Sequence, residues 1–548
     1  MSYINNELIN AAINKAYSLT DYNIHDNIHK QYEFKKQIIL SDESLTDNEK
    51  YEAIKLLNIN YDEARICYDE GTKRVCENCN QECLAISYCE LCVRNYLKEN
   101  FSNWTSGNDV IDKLLRECQM NTVAPRLIPE WIPYNNFENI KYLTKGGFSE
   151  IYTADWIDGK YEEWDSKEQQ LKRYGGQVVA LKRLDNVGNI NQNWLEEARL
   201  HLTISNKWNE IVQCYGLTQD PSSGNYMLVM NKVDVDLRKY LQQNYNKLTW
   251  SERIQIAVGI IDAVFKIHDA NAIHRDLHSG NVLYDFGGVF SISDLGFCGP
   301  ADKPLKSIYG NLPYIAPEVI IGKEQTFKSD IYSIAILMWE ISSGQPPFFN
   351  YEHNYDLAMN IINGIRPKIV PGTPLEYKNL MERCWDADPL KRPDTNTLLD
   401  EINELNLYYQ NQPNEIQSEE YNNLEMNNFV NYTNSKKCIF TSKLYHFENL
   451  PEPRNATEAE QEVFHSKSYD FRIPNDIADF NKTSYENDST SIYKLFKDIQ
   501  NDYKIESIQQ QTMKYLNDND YDEICNSPNL HSEEQDKLEL PNGIDFIK

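Results

Sequence analysis

The sequence predicts an α+β domain that lies between a small cysteine-rich segment and a largely disordered acidic tail. Residues 134–407 combine strand-like runs such as QVVALKRL with buried-helix runs such as GIIDAVFKIH and SIAILMWEIS. Five cysteines cluster between Cys76 and Cys92. From residue 408 onward, Asn, Gln, Ser, Tyr and acidic residues dominate, and apolar residues follow no sustained period. With 548 residues, the chain is too long for one compact core.

Changes in composition divide the chain into five predicted segments. They are a polar helical N-terminal region (1–70), the cysteine-rich segment (71–100), a linker (101–133), the α+β domain (134–407) and a low-complexity acidic tail (408–548). Within the α+β domain, residues 155–177 stand just before a strand-like run, and we expect them to form an elongated hairpin.

The overall charge disfavours two classes of partner. The formal net charge is −29, and nucleic acids and anionic membranes both require a basic surface. No apolar run approaches the roughly 18 residues of a transmembrane helix. The N-terminus lacks the basic and apolar regions of a signal peptide. We therefore expect a cytoplasmic protein without nucleic-acid or membrane partners.

Four short motifs occur in one order over a domain-sized interval. They are VALK (179–182), HRDLHSGN (274–281), SDLG (293–296) and APE (316–318). Together they resemble a eukaryotic protein kinase catalytic domain of the tyrosine-kinase-like group. The catalytic loop is similar to that of the expanded fungal families, which reads HRDLHSGN. The resemblance covers about half of the chain.

The kinase resemblance implies two lobes with ATP in the cleft between them. A small lobe of antiparallel strands and one helix is expected over about 134–231, and a larger helical lobe over about 232–407. Lys182 would reach the ATP phosphates from a strand, oriented by a carboxylate. We favour Glu197 for that carboxylate because the family pattern places the ion-pairing glutamate there. Glu196 stays the alternative, since the helical phase is uncertain by one residue.

The catalytic loop and the SDLG motif supply the remaining catalytic residues. Asp276 is placed to accept a proton from the incoming hydroxyl or to orient it. Asn281 and Asp294 offer oxygen ligands, which suit the hard cation Mg²⁺. Catalysis is therefore expected from the following residues: Lys182, Glu197, Asp276, Asn281 and Asp294.

The glycine-rich loop departs from the kinase pattern. In LTKGGFSEI, Thr144 and Ser149 replace the outer two of three expected glycines, while Gly146 matches and Gly147 is extra. Because glycine lets the backbone approach phosphate closely, we expect weaker ATP binding. The resemblance implies that ATP contacts Leu143, Gly146, Gly147, Ile151, Ala180, Lys182, the gatekeeper Met230, the hinge residue Val233, and Leu283.

Three residues of the larger lobe match positions with a structural role in the family. Asp330 resembles the buried aspartate that holds the catalytic loop. Glu318 and Arg392 are expected to form a buried ion pair, since a planar guanidinium suits a bidentate carboxylate.

The segment between SDLG and APE contains two candidate regulatory hydroxyls, Ser307 and Tyr309. A phosphate on either could order this segment against Arg275, which precedes the catalytic aspartate. The alternative is that both hydroxyls are merely solvated.

The cysteine-rich segment predicts a zinc site. Cys76-x₂-Cys79 and Cys89-x₂-Cys92 can supply four thiolates to one tetrahedral Zn²⁺. The segment is too small to bury a core, so the metal would provide its stability. Cys83 lies between the two pairs and leaves the ligand choice open. Free thiols or a redox-sensitive pair are the alternative. A protein is the expected partner of this segment.

The resemblance implies an ATP-dependent protein kinase that phosphorylates Ser or Thr hydroxyls of proteins in intracellular signalling. Phosphorylation of Tyr stays open, because His278 stands where Ser/Thr kinases commonly carry Lys. A pseudokinase or scaffold that acts through the zinc segment and the tail is the alternative, supported by the altered glycine loop. A metabolite kinase is disfavoured by the segment that ends in APE.

Overall fold

The computed structural model describes residues 5–21, 24–145, 149–184, 192–285, 288–300, 308–410 and 442–466. All of them lie in the first of two compact units, residues 1–475. Among the sequence predictions, those for Gly146, Gly147 and Ser307 lie outside the described residues, and the Glu196 side chain does as well.

The N-terminal region is a bundle of three helices, α1 (Asn6–Ser18), α2 (Ile28–Ser41) and α3 (Asp47–Tyr68). Helix α3 begins with a capping box, in which the Thr46 side chain accepts from the Glu49 amide and the Glu49 side chain accepts from the Thr46 amide. The apolar faces of the helices form one buried cluster: Ile9, Ala12, Ala16, Tyr32, Ile39, Leu45, Ala53 and Leu57.

The cysteine-rich segment contains a short antiparallel hairpin of β1 (Arg74–Val75) and β2 (Glu82–Cys83), followed by α4 (Glu90–Asn100). Helix α5 (Asp109–Met120) comes next, and the Asn108 side chain caps it by accepting from two backbone amides.

The smaller lobe is built on a six-stranded sheet. Its strands and the inserted hairpin are β3 (Glu130–Trp131), β4 (Phe137–Lys145), β5 (Ser149–Trp156), β6 (Tyr161–Asp165), β7 (Gln170–Arg173), β8 (Gln177–Leu184), β9 (Cys214–Gln219) and β10 (Tyr226–Asn231). The strand order is β3-β9-β10-β8-β5-β4, and β6 and β7 form a separate two-stranded hairpin. Helix α6 (Gln192–Ile204) follows β8. The expected hairpin over 155–177 is therefore present.

The region from 101 to 133 is more than a linker. Strand β3 joins the sheet in parallel beside β9, and α5 packs its apolar face on α6. Two bidentate ion pairs attach this region to its neighbours: Arg126 binds Glu63 of α3, and Arg173 of β7 binds Glu130 of β3. The predicted linker is thus part of the smaller lobe, because it supplies both a strand and a packed helix.

The larger lobe is mainly helical. Its helices are α7 (Leu237–Asn244), α8 (Trp250–Asp269), α9 (Pro317–Ile320), α10 (Phe327–Ser343), α11 (Tyr355–Ile362), α12 (Leu375–Cys384) and α13 (Thr395–Gln410). Its short strands are β11 (Val235–Asp236), β12 (Ala272–Ile273), β13 (Val282–Tyr284), β14 (Phe290–Ile292), β15 (Gly299–Pro300) and β16 (Ile308–Gly310). Helices α8 and α10 carry the two apolar runs noted in the sequence and form the centre of the core. The predicted two-lobed α+β fold is confirmed.

Part of the predicted tail is ordered and packs on the larger lobe. Strand β17 (Lys443–Tyr445) pairs with β16, and α14 (Glu458–Ser466) follows. We call residues 442–466 the docked tail segment. The tail is predicted to be largely disordered, and residues 442–466 are an ordered part of it. Tyr445 is buried in the core of the larger lobe, and Phe447 and Phe464 are partly buried against it, so the segment shows no apolar period of its own.

None of the helices in the described part of the chain is long and apolar enough to cross a membrane.

Candidate active site

Three charged side chains meet where the two lobes face each other. Lys182 on β8 places its Nζ 2.8 Å from Glu197 Oε1 on α6 and 2.7 Å from Asp294 Oδ1. Burial lowers the pKa of Lys182, but the two carboxylates outweigh burial and raise the pKa above its ordinary value. For Asp294, burial raises the pKa, but the nearby Lys182 ammonium outweighs burial and holds the pKa below its ordinary value. Lys182 is therefore an ammonium held between two carboxylates.

Helix α6 is held in this position by α5. Four α5 side chains share a buried cluster with α6 and the sheet: Ile111, Leu114, Leu115 and Cys118. Ala198, the residue after Glu197, lies in the same cluster, and Arg199 makes an ion pair with Glu117 of α5 at 3.2 Å. Because Glu197 is next to this contact, the packing of α5 fixes the carboxylate that meets Lys182.

The catalytic loop is held in place by Asp330. Its carboxylate accepts backbone hydrogen bonds from His274 at 2.8 Å and Arg275 at 3.0 Å, and it contacts His268 Nε2 at 2.9 Å. Arg275 has a φ of 72°, a left-handed conformation that costs free energy in a non-glycine residue. The two hydrogen bonds to Asp330 support this strained turn, as the sequence led us to expect.

Asp276 and Asn281 are fixed relative to each other by that loop. Asn281 Nδ2 donates to the Asp276 carbonyl oxygen at 2.9 Å, which orients the amide group. Burial raises the pKa of Asp276 to about 8, and the nearby Asp294 carboxylate adds to this shift. A base with a pKa near neutrality is suited to accept a proton from a hydroxyl.

Comparison with known proteins decides the family of this region. Residues 137–402 match the family model of protein tyrosine and serine/threonine kinases. This segment is a protein kinase domain.

Among curated relatives, the chain is similar to a dual serine/threonine and tyrosine protein kinase of Mus musculus, at 38% identity over 31% of the chain and 19% of the relative. The human protein of the same name is 35% identical over 34% of the chain and 21% of the relative. The probable serine/threonine-protein kinase roco5 of Dictyostelium discoideum is 29% identical over 52% of the chain and 10% of the relative. The chain thus spans only about a tenth to a fifth of these proteins.

Four of the residues predicted to contact ATP share one face of the kinase domain's sheet: Ile151, Ala180, Lys182 and Met230. Ala180 is the cross-strand partner of Met230, and Ile151 is the partner of Lys182. Ala180 and Leu283 pack against the buried cluster that contains Met230. Leu143 is 54% exposed at the end of β4, where it could cover a ligand. Val233 lies two residues after the end of β10.

The predicted ion pair of the larger lobe is present and buried. Arg392 donates to both carboxylate oxygens of Glu318 at 2.7 Å and also donates to the backbone carbonyl oxygens of Lys328 and Asp386, each at 2.8 Å. The Arg392 side chain is fully buried. This arrangement joins the start of α9 to the region before α13.

The docked tail segment reaches Asp276. Ser442 Oγ lies 2.8 Å from Asp276 Oδ1 and 3.1 Å from His278 Nε2. Tyr309 is paired with Leu444 and is 5% exposed, so its hydroxyl is shielded in this arrangement. Sequence analysis did not predict the Ser442 contact, because the partners are 166 residues apart.

Four cysteines converge in the segment before the kinase domain. The thiol groups of Cys76, Cys79, Cys89 and Cys92 lie within 4.8 Å of one another. Cys76 Sγ is 3.8 Å from Cys92 Sγ, and Cys79 Sγ is 3.7 Å from Cys89 Sγ. These four residues can hold a metal ion. Cys83 lies outside this group, near Cys89 and Glu90.

The inserted hairpin contacts the cysteine segment. Trp164 of β6 and Leu171 of β7 are buried in one cluster with Cys76, Cys89 and Cys92. The insertion therefore joins the kinase domain to the cysteine segment. The signal available for such a contact was Trp164, a large apolar side chain within an insertion of mostly polar residues.

Proposed function

We propose that this chain is an ATP-dependent protein kinase that transfers phosphate to Ser or Thr hydroxyls of proteins, with Tyr as a further acceptor to be tested. The group is proposed to be tyrosine-kinase-like, on the HRDLHSGN resemblance to the expanded fungal families. The observation that carries the proposal is the pairing of Lys182 with both Glu197 and Asp294 beside a buried Asp276.

Each side chain has a defined task in this proposal. Lys182, oriented by Glu197, neutralises charge on the phosphates of ATP. Asp294 and Asn281 offer a carboxylate and an amide oxygen, a donor set that fits Mg²⁺. When bound, Mg²⁺ supplies charge neutralisation for the transferring phosphoryl group. Asp276 holds the acceptor hydroxyl and receives its proton.

The test is phosphate transfer from Mg²⁺-ATP to dephosphorylated casein by the purified full-length protein. We expect transfer by the wild type and none by Asp294→Asn, with the labelled amino acid identifying the acceptor type. Asp285→Asn, at an exposed position after β13, is the matched control and should retain transfer. A folded wild type that transfers nothing would overturn the proposal and favour the scaffold alternative.

The four-cysteine cluster is proposed to bind Zn²⁺. In a tetrahedral site with Zn–S bonds of about 2.3 Å, neighbouring sulfur atoms are about 3.8 Å apart. The two measured sulfur separations, 3.8 Å and 3.7 Å, match this value. The free-thiol alternative requires no such spacing.

Metal analysis of the purified protein tests the zinc proposal. We expect about one zinc ion per chain in the wild type. Cys92→Ser should lose the metal, whereas Cys67→Ser, outside the cluster, should retain it. A metal-free wild type purified without chelators would contradict the proposal.

A further inference from the structure

The docked tail segment lies where a kinase would bind the segment to be phosphorylated. Strand β17 adds to β16 in antiparallel register, with Tyr309 opposite Leu444 and Gly310 opposite Lys443. Gly310 lies beside the Asp276 carboxyl, since a Cβ there would be 3.3 Å from Asp276 Oδ1. Backbone pairing therefore delivers the residue before Lys443 to the catalytic aspartate.

That residue is Ser442, and its hydroxyl is oriented by two neighbours. His278 Nδ1 accepts from the Gly280 amide at 3.1 Å, a contact that needs glycine because a Cβ there would be 2.9 Å from the His278 ring. Because Nδ1 accepts this hydrogen bond, the ring proton of His278 is carried on Nε2. Nε2 then donates to Ser442 Oγ, and the Ser442 proton points to Asp276.

The remainder of the segment anchors Ser442 along the larger lobe. Phe464 stacks on Tyr351 with ring centroids 5.2 Å apart, and Tyr445 is buried in the main core. Gly364 has a φ of +90°, and a Cβ there would lie 2.1 Å from the Ala456 nitrogen. The backbone of the segment thus approaches Gly364 so closely that any other residue at this position would displace the segment.

Further hydrogen bonds fix the segment beyond these contacts. Gln461 donates to the Gly364 carbonyl oxygen at 2.8 Å, and the Arg454 amide donates to the Ile362 carbonyl oxygen at 3.0 Å. Asn455 Oδ1 accepts from the Ala387 amide at 2.9 Å. Contacts of this extent define one position for the segment, with a hydroxyl at its catalytic end.

We propose that Ser442 is an autophosphorylation site, modified within its own chain by this kinase domain. Ser442 Oγ forms a bond to the γ-phosphorus of ATP, and its proton passes to Asp276. The bond between the γ-phosphorus and the bridging oxygen breaks, and ADP leaves with that electron pair. The products are phosphoserine at 442 and ADP. This inference rests on the proposed kinase function.

The experiment uses full-length protein, treated with phosphatase, cleared of it and incubated with Mg²⁺-ATP. Phosphate is located by mass spectrometry, and casein is phosphorylated in parallel. We expect phosphate on Ser442 with a first-order rate constant that is unchanged over an about 100-fold dilution of the protein. The intramolecular reaction is overturned if the first-order rate constant falls in proportion to dilution.

The casein reaction separates the two ways in which the experiment can fail. Casein labelled without phosphate on Ser442 would overturn this inference and leave the kinase proposal standing. Neither one labelled would overturn both.

Two matched pairs of variants test the geometry. Ser442→Ala should abolish that phosphorylation, while Ser466→Ala, on the same segment, should behave as wild type in both assays. Phe464→Ala should slow Ser442 phosphorylation about tenfold through loss of the stacked anchor, with Val463→Ala, at an exposed position of α14, unchanged. An unchanged rate in Phe464→Ala, with folding verified by thermal melting, would overturn the docking argument.

Discussion

Glu197 Oε1 lies 2.8 Å from Lys182 Nζ, on the helix that follows the strand carrying the lysine. Removal of this carboxylate charge by Glu197→Gln leaves Lys182 without one of its two orienting groups. We expect phosphate transfer to fall about 100-fold, the scale of a misplaced catalytic group. The rate constant for casein phosphorylation measures the effect. Glu196→Gln is the matched control, and a larger loss in that variant would contradict the pairing.

The packing of α5 on α6 predicts control of the active site from outside the kinase domain. Leu115→Ala opens a cavity in the buried cluster shared with Ala198, and we expect a loss of about 2–5 kcal/mol in the free energy of unfolding. The loss of phosphate transfer should exceed the loss of folded protein, because Glu197 is no longer held in its position beside Lys182. Denaturant unfolding and casein assays measure both. Val110→Ala, at an exposed position of α5, should change neither quantity.

Removal of metal from the cysteine cluster should be detected in the kinase domain. Trp164 is buried in the same cluster as the cysteines, so a zinc chelator is expected to expose it to water. A red shift of tryptophan emission and a lower melting temperature should follow. Trp164→Phe should lose most of the emission change while keeping the fall in melting temperature. Unchanged emission in the metal-depleted wild type would contradict this coupling.

The buried pair of Arg392 and Glu318 should be strongly coupled. Arg392→Met leaves the Glu318 carboxylate buried without its partner, and the expected cost is about 3–5 kcal/mol of unfolding free energy. Glu318→Gln combined with Arg392→Met should lose less than the sum of the single changes. Urea unfolding of all four proteins measures this interaction, and simple additivity would contradict it.

Phosphate on Ser442 should release the docked tail segment. A negative group at this position faces the Asp276 carboxylate, which lies 2.8 Å from the present hydroxyl oxygen. Ser442→Glu is therefore expected to raise the initial rate on casein about threefold or more, because a larger fraction of the protein has an accessible site. Ser466→Glu serves as the control. A rate at or below that of the wild type would contradict release.

The sequence predicted the catalytic geometry better than the domain contacts. The motifs around Lys182 and Asp276 have fixed spacing because they bind one ligand, so their positions can be read from short matches. The contact between Glu197 and Lys182 required only a choice between two adjacent residues.

Helix α5 was missed although its signal was present. Ile111, Leu114, Leu115 and Cys118 follow the i, i+3, i+4, i+7 spacing of one helical face. An apolar helical face of this kind packs against another part of the protein, and this argues against the prediction that residues 101–133 are only a linker. Only the packing on α6 identifies what it covers.

The docked tail segment could not be predicted from periodicity. Ser442 acquires its position from β16, which is far away in sequence, and Tyr445 and Phe464 pack against the larger lobe rather than each other. Apolar periodicity in the local sequence predicts an element that buries one of its own faces. A short strand that is stabilised by pairing with the edge of a distant strand does not require such a periodicity.

The pairing of β17 with β16 has a consequence for competition. A segment attached to its own binding site meets that site at an effective concentration of roughly millimolar, which does not change when the protein is diluted. A free protein substrate at micromolar concentration therefore competes for the active site with the docked tail segment, and dilution of the protein does not reduce this competition. Newly made protein would therefore phosphorylate other proteins only after a lag. The length of this lag would depend on the first-order rate constant of Ser442 phosphorylation and not on the protein concentration.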